Sequence, residues 1–182
     1  MTIRCSVFIA VSLDGFIARR NGEIDWLTET GAVSNGEDYG YKAFVDSVDT
    51  VVLGRNTYET VLAFSEWPYA GKRVVVLSTG SPHIPDSLSE RVEIMSGSAT
   101  ECALRLSNDG ARHVYVDGGT TIQGFLNAGL IDELTITRLP ILIGDGVPLF
   151  GKLDRDMRLK HVETKSYESG FVQSNYRALR AA

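Results

Sequence analysis

Three times this chain passes from a short β-branched run, through a few small or polar residues, toward a helical pattern. That recurrence restricts the fold more than any other feature. The clearest case is Val114-Tyr115-Val116-Asp117-Gly118-Gly119-Thr120-Thr121-Ile122-Gln123. A buried strand breaks on two glycines and a helix follows, with Ile122, Phe125 and Leu126 facing the core and Gly129 as the C′ stop. In the second case Thr50-Val51-Val52-Leu53 leads through Gly54-Arg55 into a helix with Tyr58, Val61 and Leu62 on one side. Asn56 is the expected N-cap there, supported by Glu59 three residues on as a capping box. In the third, Arg73-Val74-Val75-Val76-Leu77 ends at Ser78-Thr79-Gly80. A strand over 91–95 follows, then a helix marked by Ala99, Cys102, Ala103 and Leu106 at i, i+3, i+4, i+7.

Such alternation calls for a largely parallel sheet with helices on both faces, because a parallel pair needs a crossover between its strands. The ends of the chain differ. Residues 5–11 read as an apolar strand and residues 132–139 as an alternating one. Residues 161–167 and 171–179 read as a hairpin turned at Glu168-Ser169-Gly170. The expected architecture is a single mixed α/β domain over residues 1–182, mostly parallel, with an antiparallel C-terminal hairpin.

Bulk properties exclude several classes. A formal charge of −5 without a Lys/Arg cluster argues against a nucleic-acid surface, and Arg19-Arg20, the densest basic spot, reads as a solvated doublet. The apolar run after Cys5 is too short for a signal segment, and no stretch approaches a membrane span. Cys5 and Cys102 sit far apart in apolar patterns and read as buried reduced thiols, while His83, His113 and His161 lack metal-ligand spacing. The expectation is a cytoplasmic, metal-free protein with no nucleic-acid or membrane partner.

The strand ends carry the chemistry. In open α/β sheets ligands bind outside the carboxyl ends of the strands. Three such ends here are small or polar: Gly54-Arg55-Asn56-Thr57, Ser78-Thr79-Gly80 and Asp117-Gly118-Gly119-Thr120-Thr121. Arg55 offers a guanidinium fork to a phosphate, Ser78 and Thr79 offer hydroxyls, and the glycine turn offers amides at a helix start. Together they describe a groove for an extended, phosphate-bearing ligand. No Gly-x-Gly-x-x-Gly follows a strand, so a Rossmann fingerprint is not the means.

Val11-Ser12-Leu13-Asp14-Gly15-Phe16-Ile17-Ala18, Val52-Leu53-Gly54-Arg55-Asn56-Thr57-Tyr58-Glu59, Val76-Leu77-Ser78-Thr79 and Asp117-Gly118-Gly119 occur in the order seen in dihydrofolate-reductase-like proteins. With Leu139-Pro140-Ile141-Leu142-Ile143-Gly144-Asp145-Gly146-Val147-Pro148-Leu149-Phe150, the chain more closely resembles the reductase domain of bifunctional riboflavin-biosynthesis deaminase-reductases, over residues 3–179. The resemblance implies an eight-stranded mixed sheet, a homodimer and an NADPH-dependent reductase acting on a small substrate. Gly54, Arg55, Asn56 and Thr57 would take the pyrophosphate and the 2′-phosphate side. Leu77, Ser78 and Thr79 would line the adenosine, and Asp117, Gly118, Gly119, Thr120 and Thr121 would seat the pyrophosphate. Ala10, Val11 and Ile17 would lie along the nicotinamide.

Two carboxylates are candidates for catalysis, each with a structural alternative. Asp38 stands sixteen residues before Gly54, at the spacing of a substrate-binding acid, and equally reads as the acid of a helix N-terminus. Asp14 either touches substrate or nicotinamide or serves its Asp-Gly turn. Phe16 stands where reductases of the riboflavin pathway carry Lys, which argues against a phosphosugar substrate, and no zinc deaminase signature is present. Trp26 is the expected substrate-facing wall. Two other readings stay open: a catalytically idle nucleotide-binding protein on this scaffold, and a flavin- or phosphosugar-binding enzyme using the same grooves.

Overall fold

Valine-rich runs that alternate between two apolar faces set the centre of the molecule. The computed structural model describes residues 3–28 and 36–179. In chain order it contains β1 (Arg4–Val11), β2 (Phe16–Ala18), α1 (Asp25–Thr28), α2 (Tyr41–Ser47), β3 (Thr50–Gly54), α3 (Arg55–Leu62), β4 (Arg73–Leu77) and β5 (Val92–Met95). Then follow α4 (Ala99–Asn108), β6 (His113–Asp117), α5 (Gly119–Asn127), β7 (Glu133–Arg138), β8 (Val147–Pro148), β9 (Leu159–Ser166) and β10 (Val172–Ala178). Eight strands form one sheet in the order β5-β4-β3-β6-β1-β7-β10-β9, and β2 pairs with β8 in a small second sheet. Every neighbour pair from β5 to β7 is parallel; β10 runs antiparallel to both β7 and β9. This is the expected mixed sheet, and the hairpin extends it rather than standing apart.

Successive residues of a strand point to opposite faces. Val52, Val75, Val114 and Val116 therefore pack beneath α4 and α5 with Cys102, Leu106, Ile122 and Phe125. Their neighbours Val51, Leu53, Val74, Val76 and Tyr115 pack on the other side with Tyr58, Val61 and Tyr69. The near-continuous apolar runs read from the sequence are what strands buried on both faces require. Cys5 and Cys102 are buried and unpaired with each other, and burial pushes the Cys102 thiol up to about 11. The apolar stretch over 139–150 sends Leu139 and Leu149 into the core and leaves Leu142 and Phe150 exposed.

Helix ends depart from expectation in one place. Asn56 is not the cap of α3: the N-cap is Gly54, two residues earlier, and no side chain caps it. Glu59 is drawn instead to Arg55, whose Nε donates to its carboxylate at 2.7 Å across one helical turn. A true capping box appears at α4, where Ser98 Oγ accepts from the Glu101 amide and Glu101 accepts from the Ser98 amide. Gly129 follows α5 with φ +66, as its role as helix stop requires.

Leu106 is fully buried on α4 against the sheet. Leu106→Ala should cost about 2–5 kcal/mol, the usual toll of truncating a buried leucine. Urea unfolding checks this as a lower midpoint at unchanged slope; a loss under about 1 kcal/mol would contradict the docking of α4.

Candidate active site

The parallel strands deliver their carboxyl ends to one edge, where a cleft of about 1300 Å³ opens. That exceeds the roughly 300–1,000 Å³ of a single drug-sized ligand. Gly54, Arg55, Asn56 and Thr57 line it from the end of β3, Leu77 from β4, and Asp117, Gly118, Gly119, Thr120 and Thr121 from β6 and α5. Ala10 and Ile17 line it from the first two strands. Val11, Ser78 and Thr79 do not form its wall. Val11 is buried in the core, and Ser78 Oγ accepts from the Gly80 amide at 3.1 Å, shaping the turn that follows β4. The Arg55 guanidinium nevertheless reaches this turn: a Cβ on Gly80 would lie 3.7 Å from Arg55 Nη1 and 3.8 Å from Ser78 Oγ.

Two helices begin at this edge with no side chain closing them. Neither α3 nor α5 has a side-chain cap hydrogen bond, whereas α4 carries a full capping box and Asp38 serves the start of α2. An uncapped start leaves amides and the positive dipole end turned toward the cleft. The glycines fit the two loops against each other. Gly118 sits at φ +87, and a Cβ there would strike Thr57 Oγ1; one on Gly54 would come within 3.0 Å of Thr121 Oγ1. A Cβ on Gly119 would meet Val147 at 3.0 Å and Ile17 at 3.2 Å. The glycines thus hold the cradle closed as well as baring its backbone. A dinucleotide fits this cradle: two uncapped helix starts for its diphosphate and an arginine at the turn after β4.

The other end of the cleft is aromatic. Phe8, Leu27, Tyr39, Tyr41, Leu139 and Phe171 line it, with Glu37 and Asp38 next to Tyr39 in the chain and Arg20 paired to Asp145. Tyr39 stacks on Phe171 with ring centres 5.0 Å apart and holds φ 55, the one positive φ outside glycine among the described residues. Gln173 Nε2 fixes it by donating to the Tyr39 carbonyl at 3.0 Å and to Thr137 Oγ1 at 2.9 Å.

Of the residues singled out for chemistry, three stand elsewhere. Trp26 is 2% exposed and packs with Leu139 and Phe171 behind the cleft, not in its wall. Phe16 is half-buried in β2, opposite Pro148. Asp14 accepts from Ser12 Oγ at 2.6 Å and from the Gly144 amide at 2.8 Å, pinning its turn to the loop at 143–144. Those bonds, Ser12 foremost, hold its carboxyl below the usual range. Asp38 does line the cleft, but its oxygens accept from the Gly40 and Lys42 amides at 2.9 and 3.0 Å, which likewise hold its pKa down. Arg19, read as solvated, makes a two-pronged pair with Asp25.

The sequence reading missed a cluster of phenols. Tyr69 Oη donates to Asp117 Oδ2 at 2.9 Å, Tyr115 Oη donates to the Phe8 carbonyl at 2.9 Å, and Gly118 N donates to Asp117 Oδ1 at 2.8 Å. Tyr41, Tyr69, Tyr115 and Asp117 all reach the cleft wall. Burial, the largest influence, raises the Asp117 carboxyl above its ordinary value and the three phenols with it. One signal was available: Tyr115 and Asp117 are two apart on one strand and so share a face.

Two measurements probe this geometry. Gly118→Ala should destabilise by roughly 1–3 kcal/mol, the cost of a strained left-handed residue. Adding Thr57→Ala should recover the steric part only, read by chemical denaturation of single and double variants. For Asp117, a folded pKa raised above the unfolded 3.8 means that stability falls as pH rises from there through the folded value. Asp117→Asn removes that slope, so the variant should gain on the wild type as pH rises above about 4. Stability curves that stay parallel from pH 4 to 8 would show an ordinary carboxyl.

Known proteins resemble this chain in sequence and in fold. A Bacillus subtilis (strain 168) protein known as "Uncharacterized protein YwjB" is 39% identical over 174 residues, 93% of this chain and 95% of that one. The crystal structure of a "Putative riboflavin biosynthesis protein" from Shewanella sp. PV-4 is 40% identical with a TM-score of 0.90, covering 98% of this chain and all of that one. Dihydrofolate reductase from Enterococcus faecalis, complexed with NADP(H) and RAB-propyl, shares the fold at 18% identity and a TM-score of 0.68, over 96% of each chain. The RibD C-terminal domain family matches residues 5–173, and the chain belongs to that family.

Proposed function

We propose that the protein is an NADPH-dependent reductase that delivers hydride to a C=N or C=O bond of a small, unphosphorylated heterocycle of pterin or pyrimidine type. The observation that carries this reading is the pair of uncapped helix starts, α3 and α5, opening with Arg55 onto one cleft. When bound, the cofactor would supply the hydride. The chain's own residues supply the seat: amides at Gly118 to Thr121 and at Gly54 to Thr57 for the diphosphate, and Arg55 with Ser78 and Thr79 for the 2′-phosphate. Ala10 and Ile17 flank the nicotinamide, beside the aromatic end of the cleft. The Enterococcus faecalis dihydrofolate reductase, with NADP(H) on the same fold, supports this choice of cofactor.

The substrate follows from what the aromatic end offers. Its rings favour a flat partner. Its charges are chiefly the carboxylates of Glu37 and Asp38, and its arginine, Arg20, is paired to Asp145 and largely exposed. Phe16 brings no cation. A phosphate would go unmatched there, whereas a neutral or cationic ring would not. The working form in this reading is a cytoplasmic homodimer, which sedimentation velocity tests directly.

One observation favours the idle reading: Asp14 and Asp38 both spend their oxygens on backbone amides. That reading predicts cofactor binding without turnover of any dihydropterin, aminopyrimidine or carbonyl compound. Calorimetric titration decides the cofactor. NADPH should bind saturably and more tightly than NADH. Arg55→Ala should weaken NADPH about 10- to 100-fold, as loss of a charge-assisted bond of roughly 1.5–3 kcal/mol implies, with NADH little changed. Absence of heat with both dinucleotides would discard the reductase.

A further inference from the structure

Three neighbouring strands bring Ala10, Thr137 and Gln173 side by side. Ala10 of β1 is the register partner of Thr137 on β7, and Thr137 is the partner of Gln173 on β10. Partners in a ladder point to the same face of the sheet, so the three side chains form a row. Ala10 and Thr137 line the cleft, and Gln173 stands behind its wall. Thr137 is 5% exposed and Gln173 6%. The Gln173 amide meets three groups: the Tyr39 carbonyl at 3.0 Å, Thr137 Oγ1 at 2.9 Å and Tyr167 Oη at 3.3 Å.

These contacts fix the direction of every bond. A carbonyl oxygen only accepts, so the amide atom facing Tyr39 is the NH2 nitrogen. The same nitrogen meets Thr137 Oγ1, and an amide NH2 only donates. Thr137 therefore accepts from Gln173 and must spend its own hydroxyl hydrogen elsewhere. Among the described residues nothing takes that hydrogen: the bond from Gln173 is the one hydrogen bond of the Thr137 side chain. A buried donor without an acceptor is costly, and the cleft is the side that Thr137 has open. We infer that Thr137 is a specificity-determining residue, its hydroxyl donating to a carbonyl oxygen of the substrate ring, with Gln173 as its positioning residue. The inference rests on the reductase reading given above.

The row also places the donor. Ala10 flanks the nicotinamide in that reading, and Thr137 stands beside Ala10 on the next strand. Glu37 and Asp38, which line the same cleft, carry carboxylates that only accept. They suit the amino or N–H groups of a ring, and Thr137 adds the donor that they lack. The substrate class narrows to lactam rings that carry an amino group, free aminopyrimidinones or their fused pterin forms. Gln173 ties this choice to the backbone: the NH2 group that turns the Thr137 hydroxyl toward the cleft also holds Tyr39 at φ 55.

Pterin is the probe, titrated into the protein without dinucleotide and followed by its fluorescence. Wild type should bind it saturably. Thr137→Val, which keeps the shape and loses the hydroxyl, should weaken binding about 10-fold, the effect of one hydrogen bond whose buried partner is left unmet. Thr137→Ser should restore it. Gln173→Glu should weaken it as the valine does, although Thr137 is intact, because a carboxylate accepts the hydrogen that the ligand needs. The infrared carbonyl stretch of bound pterin should lie lower in wild type than in Thr137→Val, a signature that packing alone does not produce. A wild type that binds no pterin, an unchanged affinity in Thr137→Val, or one stretch common to both overturns the proposal. NADPH titration of the same proteins separates the readings. A wild type that binds pterin through Thr137 but no NADPH removes the reductase and leaves the site. A valine variant that loses NADPH affinity and keeps pterin assigns the hydroxyl to the dinucleotide and overturns the proposal.

Discussion

The insertion of β6 between β1 and β3 is the constraint on which the rest of the structure depends. The chain runs outward through β3, β4 and β5, then returns to place all five residues of β6, every one buried, in the gap beside β1. Parallel bonding on both sides aligns the carboxyl ends of β1, β3 and β6 along one edge. The connections that leave β3 and β6 are helical, so α3 and α5 must start at that edge. Their amides face the cleft because of strand order, before any ligand is considered. The missing side chains at Gly54 and Gly118 leave the room that Thr121 and Thr57 take, so the two starts fit closely against each other. A side chain at Gly118 would disturb the sheet end and the seat at once.

Capping shows where the fold reserves polar groups for something else. A helix start with glycine at the cap and no side-chain bond gives up roughly a few tenths of a kcal/mol relative to a good cap. The chain closes α4 with Ser98 and Glu101, which reciprocate, and supplies α2 with the Asp38 carboxylate. It leaves α3 and α5 without side-chain caps. The difference is not one of sequence supply, since Asn56 and Thr57 stand within reach of the α3 start. Gly54 takes the cap position instead, and Asn56 and Thr57 turn to the cleft wall. An anion at this edge would do for α3 and α5 what Ser98 does for α4.

Local chemistry was legible in the sequence, and long-range pairing was not. The alternation of Val51 with Val52, and of Val74 with Val75, announced strands buried on both faces. Gly129 and the Ser169-Gly170 turn announced a helix stop and a hairpin. Most of the residues that line the cleft at Gly54 to Thr57 and Asp117 to Thr121 followed from the same strand ends. Asn56 misled because a good capping residue with Glu59 at the right spacing says nothing of Arg55, which draws Glu59 away. Trp26 misled because its place beside Leu139 and Phe171 depends on contacts more than a hundred residues apart. The phenol cluster joins Tyr41, Tyr69 and Tyr115 from three separate segments around Asp117. No period or motif records such a meeting.

The carboxylates of the cleft differ by environment rather than by type. Asp14 and Asp38 lie in water and accept amide bonds, so their charged forms are favoured and their protons are gone at neutral pH. Asp117 is enclosed, and its phenol and amide donors only partly offset the burial that disfavours charge. Such a carboxyl subtracts from stability once it ionises, a burden that a purely structural position would shed by substitution with Asn. It sits one residue before the Gly118 turn, at the end of the one strand that both sheet halves share. Asp38, though ionised, still matters there: by fixing the first turn of α2 it decides where the Tyr41 hydroxyl stands. Asp38 thus fixes the helix that carries Tyr41 and Asp117 holds Tyr69, so two carboxyls in opposite environments serve phenols of one cleft wall.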